Sequence, residues 1–109
     1  MIKISVCKDF TDAPGPRYII QGDFSGELFR NKWLIPNLKE ALKNKDKVLV
    51  DLDGTFGYPT SFLEEAFGGL TEFFDKNVIL NTIEFKSNDE LGLIDEIKEY
   101  INSDERKKK

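Results

Sequence analysis

The chain has 109 residues, of which 39% are hydrophobic and 12% aromatic, and its formal net charge is −4 at pH 7. This length predicts one domain, and this composition supplies enough apolar side chains for one core and argues against global disorder. An acidic chain is a poor ligand for nucleic acid and for anionic membranes. We therefore expect neither nucleic acid nor a membrane as a partner.

Two residue types limit the chemistry of the chain. There is no histidine, which excludes Ser-His-Asp and Cys-His catalysis within the chain and an ordinary zinc site. The single cysteine, Cys7, excludes an internal disulfide and is expected to be a buried structural thiol. We expect no metal and no cofactor. Neither a signal peptide nor a membrane-length apolar run is present, so a cytoplasmic location is expected.

The hydrophobic pattern predicts an α/β fold with the element order β-β-α-β-α-β-α. Alternation of apolar and polar residues, or a short apolar run, marks four strands. They are 2–7, Arg17–Gln21, Lys47–Leu52 and Asn81–Lys86. Strands that alternate with helices predict a four-stranded mixed sheet with packed helices. The third strand is almost continuously apolar, which predicts that helices cover both of its faces.

Helix signals lie between these strands. Asp23 or Ser25 is expected to cap the first helix, and Pro36 either breaks that helix or starts a second segment. Ser87 and Glu90 fit a capping box for the last helix, whose predicted buried residues are Leu91, Ile94, Ile97 and Ile101. The domain is expected to cover residues 1–103. Residues 104–109 are expected to form a charged, disordered tail.

The helix predicted from Ser61 to Phe74 has two distinct faces. Its apolar residues fill one arc, which is expected to face the sheet. The opposite arc carries Ser61, Glu64, Glu65, Gly68 and Gly69. Ser61 followed by Glu64 three residues later fits a capping box. Adjacent glycines inside a helix cost about 1 kcal/mol each relative to alanine. They indicate either a bare patch that a partner's backbone can approach or a kink at Gly68.

The letters DxDGT at Asp51 to Thr55 resemble the nucleophile motif of haloacid dehalogenase-like phosphatases. That resemblance implies Asp51 as nucleophile, Asp53 as acid/base, a magnesium ion, and a phosphate-binding lysine such as Lys76 or Lys86. No pair of acidic residues that follows a later apolar strand is available for the metal. A simpler interpretation is that Asp53-Gly54 makes the turn that leaves the strand. We expect no enzyme, and the phosphatase stays a remote alternative.

Four stretches carry a second resemblance, which extends over most of the first seventy residues. They are GPRY (15–18), GDFSGELFR (22–30), IPNLKEAL (35–42) and VDLDGTFGYPTSFLEEAFGGL (50–70). The chain resembles the STAS domain (sulphate transporter and anti-sigma-factor antagonist) and looks like the STAS-like small bacterial domains of unknown function. This resemblance implies a four-stranded mixed sheet and a regulatory, protein-binding role.

In anti-sigma-factor antagonists, a kinase of the histidine-kinase-like ATPase fold phosphorylates a serine at this helix start, and the complex is weakened. The resemblance therefore implies Ser61 as phosphoacceptor, with Thr60 just before it. Pro59 and Phe62 stand where antagonists usually carry Asp and Gly. The implied partner surface consists of Gly57, Tyr58, Pro59, Ser61, Glu64, Glu65, Gly68 and Gly69. The alternative is a structural interaction or homodimerisation module without phosphorylation.

Overall fold

The computed structural model describes residues 1–103 and has a parallel sheet at its centre. Its strands are β1 (Ile2–Ser5), β2 (Val48–Asp51) and β3 (Ile83–Lys86), which lie side by side in that order. Strand β1 runs parallel to β2 and pairs Ile4 with Val50. Strand β3 also runs parallel to β2 and pairs Phe85 with Val50. The sheet therefore has β2 at its centre and one strand on either side.

Helices connect and cover these strands. They are α1 (Gly26–Phe29), α2 (Ile35–Lys43), α3 (Thr60–Ala66), α4 (Lys76–Thr82) and α5 (Leu93–Asn102). Single π-helical turns lie at Val6–Phe10 and Arg30–Leu34, and 3-10 turns at Ile19–Gln21 and Gly68–Glu72. No helix within residues 1–103 is both long and apolar enough to cross a membrane.

Among the residues that the structure describes, helices pack against one face of the sheet. Crossovers between parallel strands are right-handed, and both step across this sheet in the same direction, so they place their helices on the same side. Val48 and Val50 are buried on that side, whereas Leu49 points the other way and is half-exposed. The prediction that helices cover both faces of this strand is therefore wrong. The open face carries charged side chains, among them Lys3 and Glu84.

The prediction of a fourth strand at Arg17–Gln21 is also wrong for the described chain. Ile19–Gln21 forms a 3-10 turn, and Ile20 is 94% exposed. Side chains satisfy the backbone donors that a neighbouring strand would otherwise take: Tyr18 N–H donates to Gln21 at 2.9 Å and Ile19 N–H to Glu27 at 2.9 Å. The sheet thus has three parallel strands within residues 1–103, although the α/β class is as predicted.

The first helix begins as the sequence predicts. The Ser25 side chain accepts a hydrogen bond from Leu28 N–H at 3.0 Å and caps α1. Pro36 lies in the first turn of α2, where its missing N–H is not needed. The chain passes from α1 into α2 through the π-helical turn without leaving the helical path. Pro36 therefore opens a second segment rather than ending the helix.

The last third of the chain differs from its prediction in three ways. The helix α4 was not predicted, and it occupies the first residues of the strand expected at Asn81. The helix α5 begins at Leu93, after the left-handed Gly92, so Ser87 and Glu90 do not form its capping box. Leu91 is 96% exposed instead of buried, whereas Ile97 and Ile101 are buried as expected. The tail 104–109 lies outside the described residues.

Candidate functional site

The loop after β2 is held by the aspartates of the DxDGT motif. The Asp51 carboxylate accepts from Asp53 N–H at 3.0 Å and lies 3.8 Å from Lys86 Nζ. One oxygen of Asp53 accepts from Asn88 N–H at 2.7 Å and from Asp89 N–H at 2.9 Å. These backbone hydrogen bonds, with the nearby Lys86 ammonium, lower the pKa of Asp53.

A hydrogen bond in the opposite direction also joins the loop after β2 to the segment after β3. Asp89 accepts from Gly54 N–H at 2.8 Å, and Gly54 has a φ of +97°, which favours glycine. The Cys7 thiol donates to Gly54 O at 3.2 Å, so this half-buried cysteine has a structural contact, although it lies in a π-helical turn and not in a strand. Asp53-Gly54 therefore makes the turn that the sequence suggested. Both carboxylates already serve the fold, which supports the structural interpretation of the motif.

Helix α3 starts one residue earlier than predicted. Pro59 occupies the cap position and accepts from Leu63 N–H at 3.2 Å, and no side chain caps the helix. Ser61 is the second residue of α3, so the prediction that it caps the helix in a box with Glu64 is wrong. Proline suits this position because its φ is fixed near the observed −59°. Capping therefore does not account for a serine here.

The two candidate hydroxyls have different surroundings. Thr60 is exposed, and Ser61 is half-buried. Tyr100 of α5 donates to Glu96 at 2.6 Å, and Thr60 lies near this phenol. Burial and the contact with Glu96 raise the pKa of Tyr100, whereas the contact with Thr60 acts in the opposite direction. Thr60 therefore lies near Tyr100 of α5, and Ser61 follows it in α3.

The predicted bare glycine face is wrong. The α-helix ends at Ala66 and a 3-10 turn follows, so the helical arc drawn through Gly68 and Gly69 does not exist. Both glycines are buried. A Cβ on Gly69 would lie 2.6 Å from Arg30 Nη1, and one on Gly68 would lie 3.3 Å from Tyr100 O. The glycines therefore admit a guanidinium and a neighbouring helix, and they are not a surface for a partner.

Glu65 is buried as well, and like Gly69 it lies against Arg30. Its carboxylate receives Arg30 Nη1 at 2.5 Å, and the same nitrogen donates to Glu65 O at 3.2 Å. Glu65 is 4% exposed and Arg30 is 6% exposed. The guanidinium also lies 5.4 Å from the centre of the Phe73 ring. Glu65 thus belongs to a buried ion pair, and the prediction of an exposed Glu65 is wrong.

Glu64 keeps a place at the surface. Its half-exposed carboxylate pairs with Arg17, which also lies 3.5 Å from Glu65. Arg17 precedes the turn Ile19–Gln21, which is held against α1 by the hydrogen bond from Ile19 N–H to Glu27 at 2.9 Å. The residues 18–24 contribute four large exposed apolar side chains, Tyr18, Ile19, Ile20 and Phe24. The exposure of the first three was missed because they were predicted to lie in a strand.

The structure thus places the predicted partner residues in two groups. Those at the surface are the half-exposed Gly57, Tyr58, Ser61 and Glu64, with the exposed Pro59. Glu65, Gly68 and Gly69 are buried. Burial raises the pKa of Tyr58, so its hydroxyl stays protonated. This hydroxyl donates to Leu52 O at 2.8 Å and thereby stabilises the loop. No group of three or more His, Cys, Asp or Glu within residues 1–103 has the arrangement of a metal site.

The arrangement fits one family by sequence. The sequence model of a family described as "STAS-like domain of unknown function (DUF4325)" matches residues 25–93, which include α1, β2, α3 and β3. No curated protein and no solved structure matches the chain. The match covers more than half of the chain. The protein therefore belongs to the family of STAS-like domains of unknown function.

Proposed function

We propose that this STAS-like domain is a regulatory, non-enzymatic module whose partner is a protein of the histidine-kinase-like ATPase fold. The partner contacts the start of α3 and the loop before it. Ser61 accepts a phosphate, with Thr60 as the second candidate, and phosphorylation weakens the complex. The resemblance to anti-sigma-factor antagonists supplies this hypothesis, and the geometry around α3 supports it.

One observation carries the proposal: an exposed apolar segment, residues 18–24, follows an arginine that binds the helix of the candidate phosphoacceptor. Arg17, the residue directly before this segment, forms an ion pair with Glu64, three residues after Ser61 in α3. Contiguous apolar side chains at a surface mark interaction sites. Phe24 also has a φ of +56°, which is rare for an aromatic residue. These exposed apolar side chains, joined to α3 through Arg17, support a protein-binding role for this surface.

A phosphate on Ser61 would act through the Arg17–Glu64 ion pair. Residues three apart in a helix are neighbours on its surface, so Ser61 and Glu64 lie on one side of α3. Phosphoserine carries about −1.5 to −2 charges at pH 7 and binds guanidinium groups well. It would repel Glu64 and compete with it for Arg17. Because Arg17 directly precedes the apolar segment, a change of its partner would alter the charge beside that segment.

The binding test uses purified domain and a histidine-kinase-like ATPase from the same genome. We expect Ile20→Asp to weaken binding about tenfold, since apolar anchors at interfaces are worth more than about 1 kcal/mol. We expect a similar loss for Ser61→Asp, whereas Ser61→Ala should bind like the wild type. Fluorescence anisotropy of the labelled domain measures the dissociation constants.

The matched control is Leu42→Asp, which places the same charge on a second exposed apolar residue, on α2. It should leave binding unchanged. Equal effects of Ile20→Asp and Leu42→Asp would show that the apolar segment 18–24 is not the contact surface. Circular dichroism of each variant confirms that it is folded.

A further inference from the structure

The loop that precedes α3 lines a cavity of about 220 Å³. It opens where β2 and β3 end, which is the edge of a parallel sheet where ligands bind in α/β proteins. Leu52 and Leu93 are both buried and form its apolar base. Phe56 lies at its mouth and is 87% exposed. The cavity thus has an apolar floor and an aromatic ring in contact with water.

The polar groups of this cavity are mostly held in place. Tyr58 donates to Leu52 O at 2.8 Å, and Thr55 accepts from Gly57 N–H at 3.3 Å. Asp89 is fixed by its hydrogen bond from Gly54 N–H. Glu90 is exposed, next to Asp89 in the chain. Among the described residues that line the cavity none is a lysine or an arginine, so two carboxylates give it a negative charge.

We propose that this cavity binds a guanidinium group carried on an apolar stem. A planar guanidinium presents a fork of donors that matches carboxylate oxygens, here those of Asp89 and Glu90. Its methylene stem would cover Leu52 and Leu93, and the Phe56 ring offers a face for the cation. Pockets for drug-sized ligands measure about 300–1,000 Å³. The smaller volume fits a single side chain of this kind.

This chemistry has two sources, an arginine side chain on another protein and a free arginine-like molecule. The inference does not depend on the switch proposed above, because it uses neither Ser61 nor Glu64. Its test needs only the full chain and a small probe. A failure here therefore leaves the proposed function untouched.

The probe is N-acetyl-arginine N-methylamide, titrated into the isotope-labelled domain and followed by backbone amide NMR shifts. We expect shifts that saturate at Thr55–Tyr58 and at 87–93. The citrulline derivative has the same shape without the charge, and it should leave these amides unchanged. A tripeptide with arginine between two alanines is the second probe. Tighter binding of the tripeptide assigns the site to a protein side chain, and tighter binding of the single residue assigns it to a free cation.

Glu90→Gln should weaken binding about fivefold, the effect of about 1 kcal/mol expected for an exposed ion pair. Glu99→Gln makes the same change of net charge on the exposed side of α5 and is expected to have no effect. The inference is overturned if neither arginine probe shifts these amides, or if the citrulline derivative shifts them equally. Equal weakening by Glu90→Gln and Glu99→Gln would also overturn it, because it would show attraction to the overall charge only.

Discussion

Replacing Glu65 by alanine is expected to lower the free energy of unfolding by about 3–5 kcal/mol, because it leaves a buried guanidinium without its partner. Arg30 is 6% exposed, and its Nη1 lies 2.5 Å from the Glu65 carboxylate. Without the Glu65 carboxylate, this buried charge keeps contacts with uncharged groups: Glu65 O, Asn31 and the Phe73 ring. Urea denaturation followed by circular dichroism measures the effect.

The matched control is Glu64→Ala, one residue earlier in α3. Its carboxylate also pairs with an arginine, but the pair with Arg17 is half-exposed. Solvent-exposed pairs contribute about 0–1 kcal/mol, so this variant should remain close to the wild type. Adding Arg30→Met to Glu65→Ala should recover most of the stability, since an apolar chain needs no counter-charge. A loss below about 1 kcal/mol for Glu65→Ala would contradict the buried pair.

The second large effect is expected at Gly26, where α1 and α3 touch through their backbones. A Cβ on Gly26 would lie 2.4 Å from Phe62 O and 3.1 Å from Phe62 Cα. These are backbone atoms, which cannot rotate away as the end of a side chain can. Gly26→Ala should therefore lower the free energy of unfolding by about 1–3 kcal/mol through overpacking, although alanine favours helices.

Thermal and urea unfolding measure this loss, and amide NMR shifts should locate the displacement in Thr60–Ala66. Lys39→Ala, at an exposed position of α2, should change stability by less than about 0.5 kcal/mol. If Gly26→Ala were as stable as the wild type, α1 and α3 would not be in backbone contact. The start of α3, and with it Ser61, would then have a different neighbour.

Local sequence signals predicted the parts of the fold that depend on neighbouring residues. The apolar run at β2, the turn at Asp53-Gly54 and the cap at Ser25 each follow from a few adjacent residues, and the structure confirms them. The α/β class follows from the order of such elements, and the family follows from the motifs around them.

The errors arise where contacts distant in sequence decide the structure. The residues Tyr18 to Ile20 favour a strand by propensity, but Arg17 binds Glu64 and Ile19 N–H binds Glu27 instead. Glu65 falls on the polar arc of a helical wheel, and only the fold shows that it meets a buried arginine. The adjacent glycines similarly serve an arginine and a helix that the sequence pattern cannot place beside them.

The open face of the sheet is a consequence of connection order. An apolar β2 is compatible with helices on one or both faces, and the choice depends on the direction of each crossover. Both crossovers here step the same way, from β1 to β2 and from β2 to β3. The candidate site follows from this arrangement, because α1 and α3 then lie on the same side of the sheet and pack against each other.

Phosphate mapping after incubation with a histidine-kinase-like ATPase from the same genome and ATP tests the central claim most directly. Mass spectrometry of the digested domain should find one phosphate, on Ser61. Ser61→Ala should abolish it, and Thr60→Ala should retain it. The kinase must be active on a second substrate in the same assay. No phosphate on Ser61 or Thr60 from such a kinase would contradict the account of a phosphorylated switch at the start of α3.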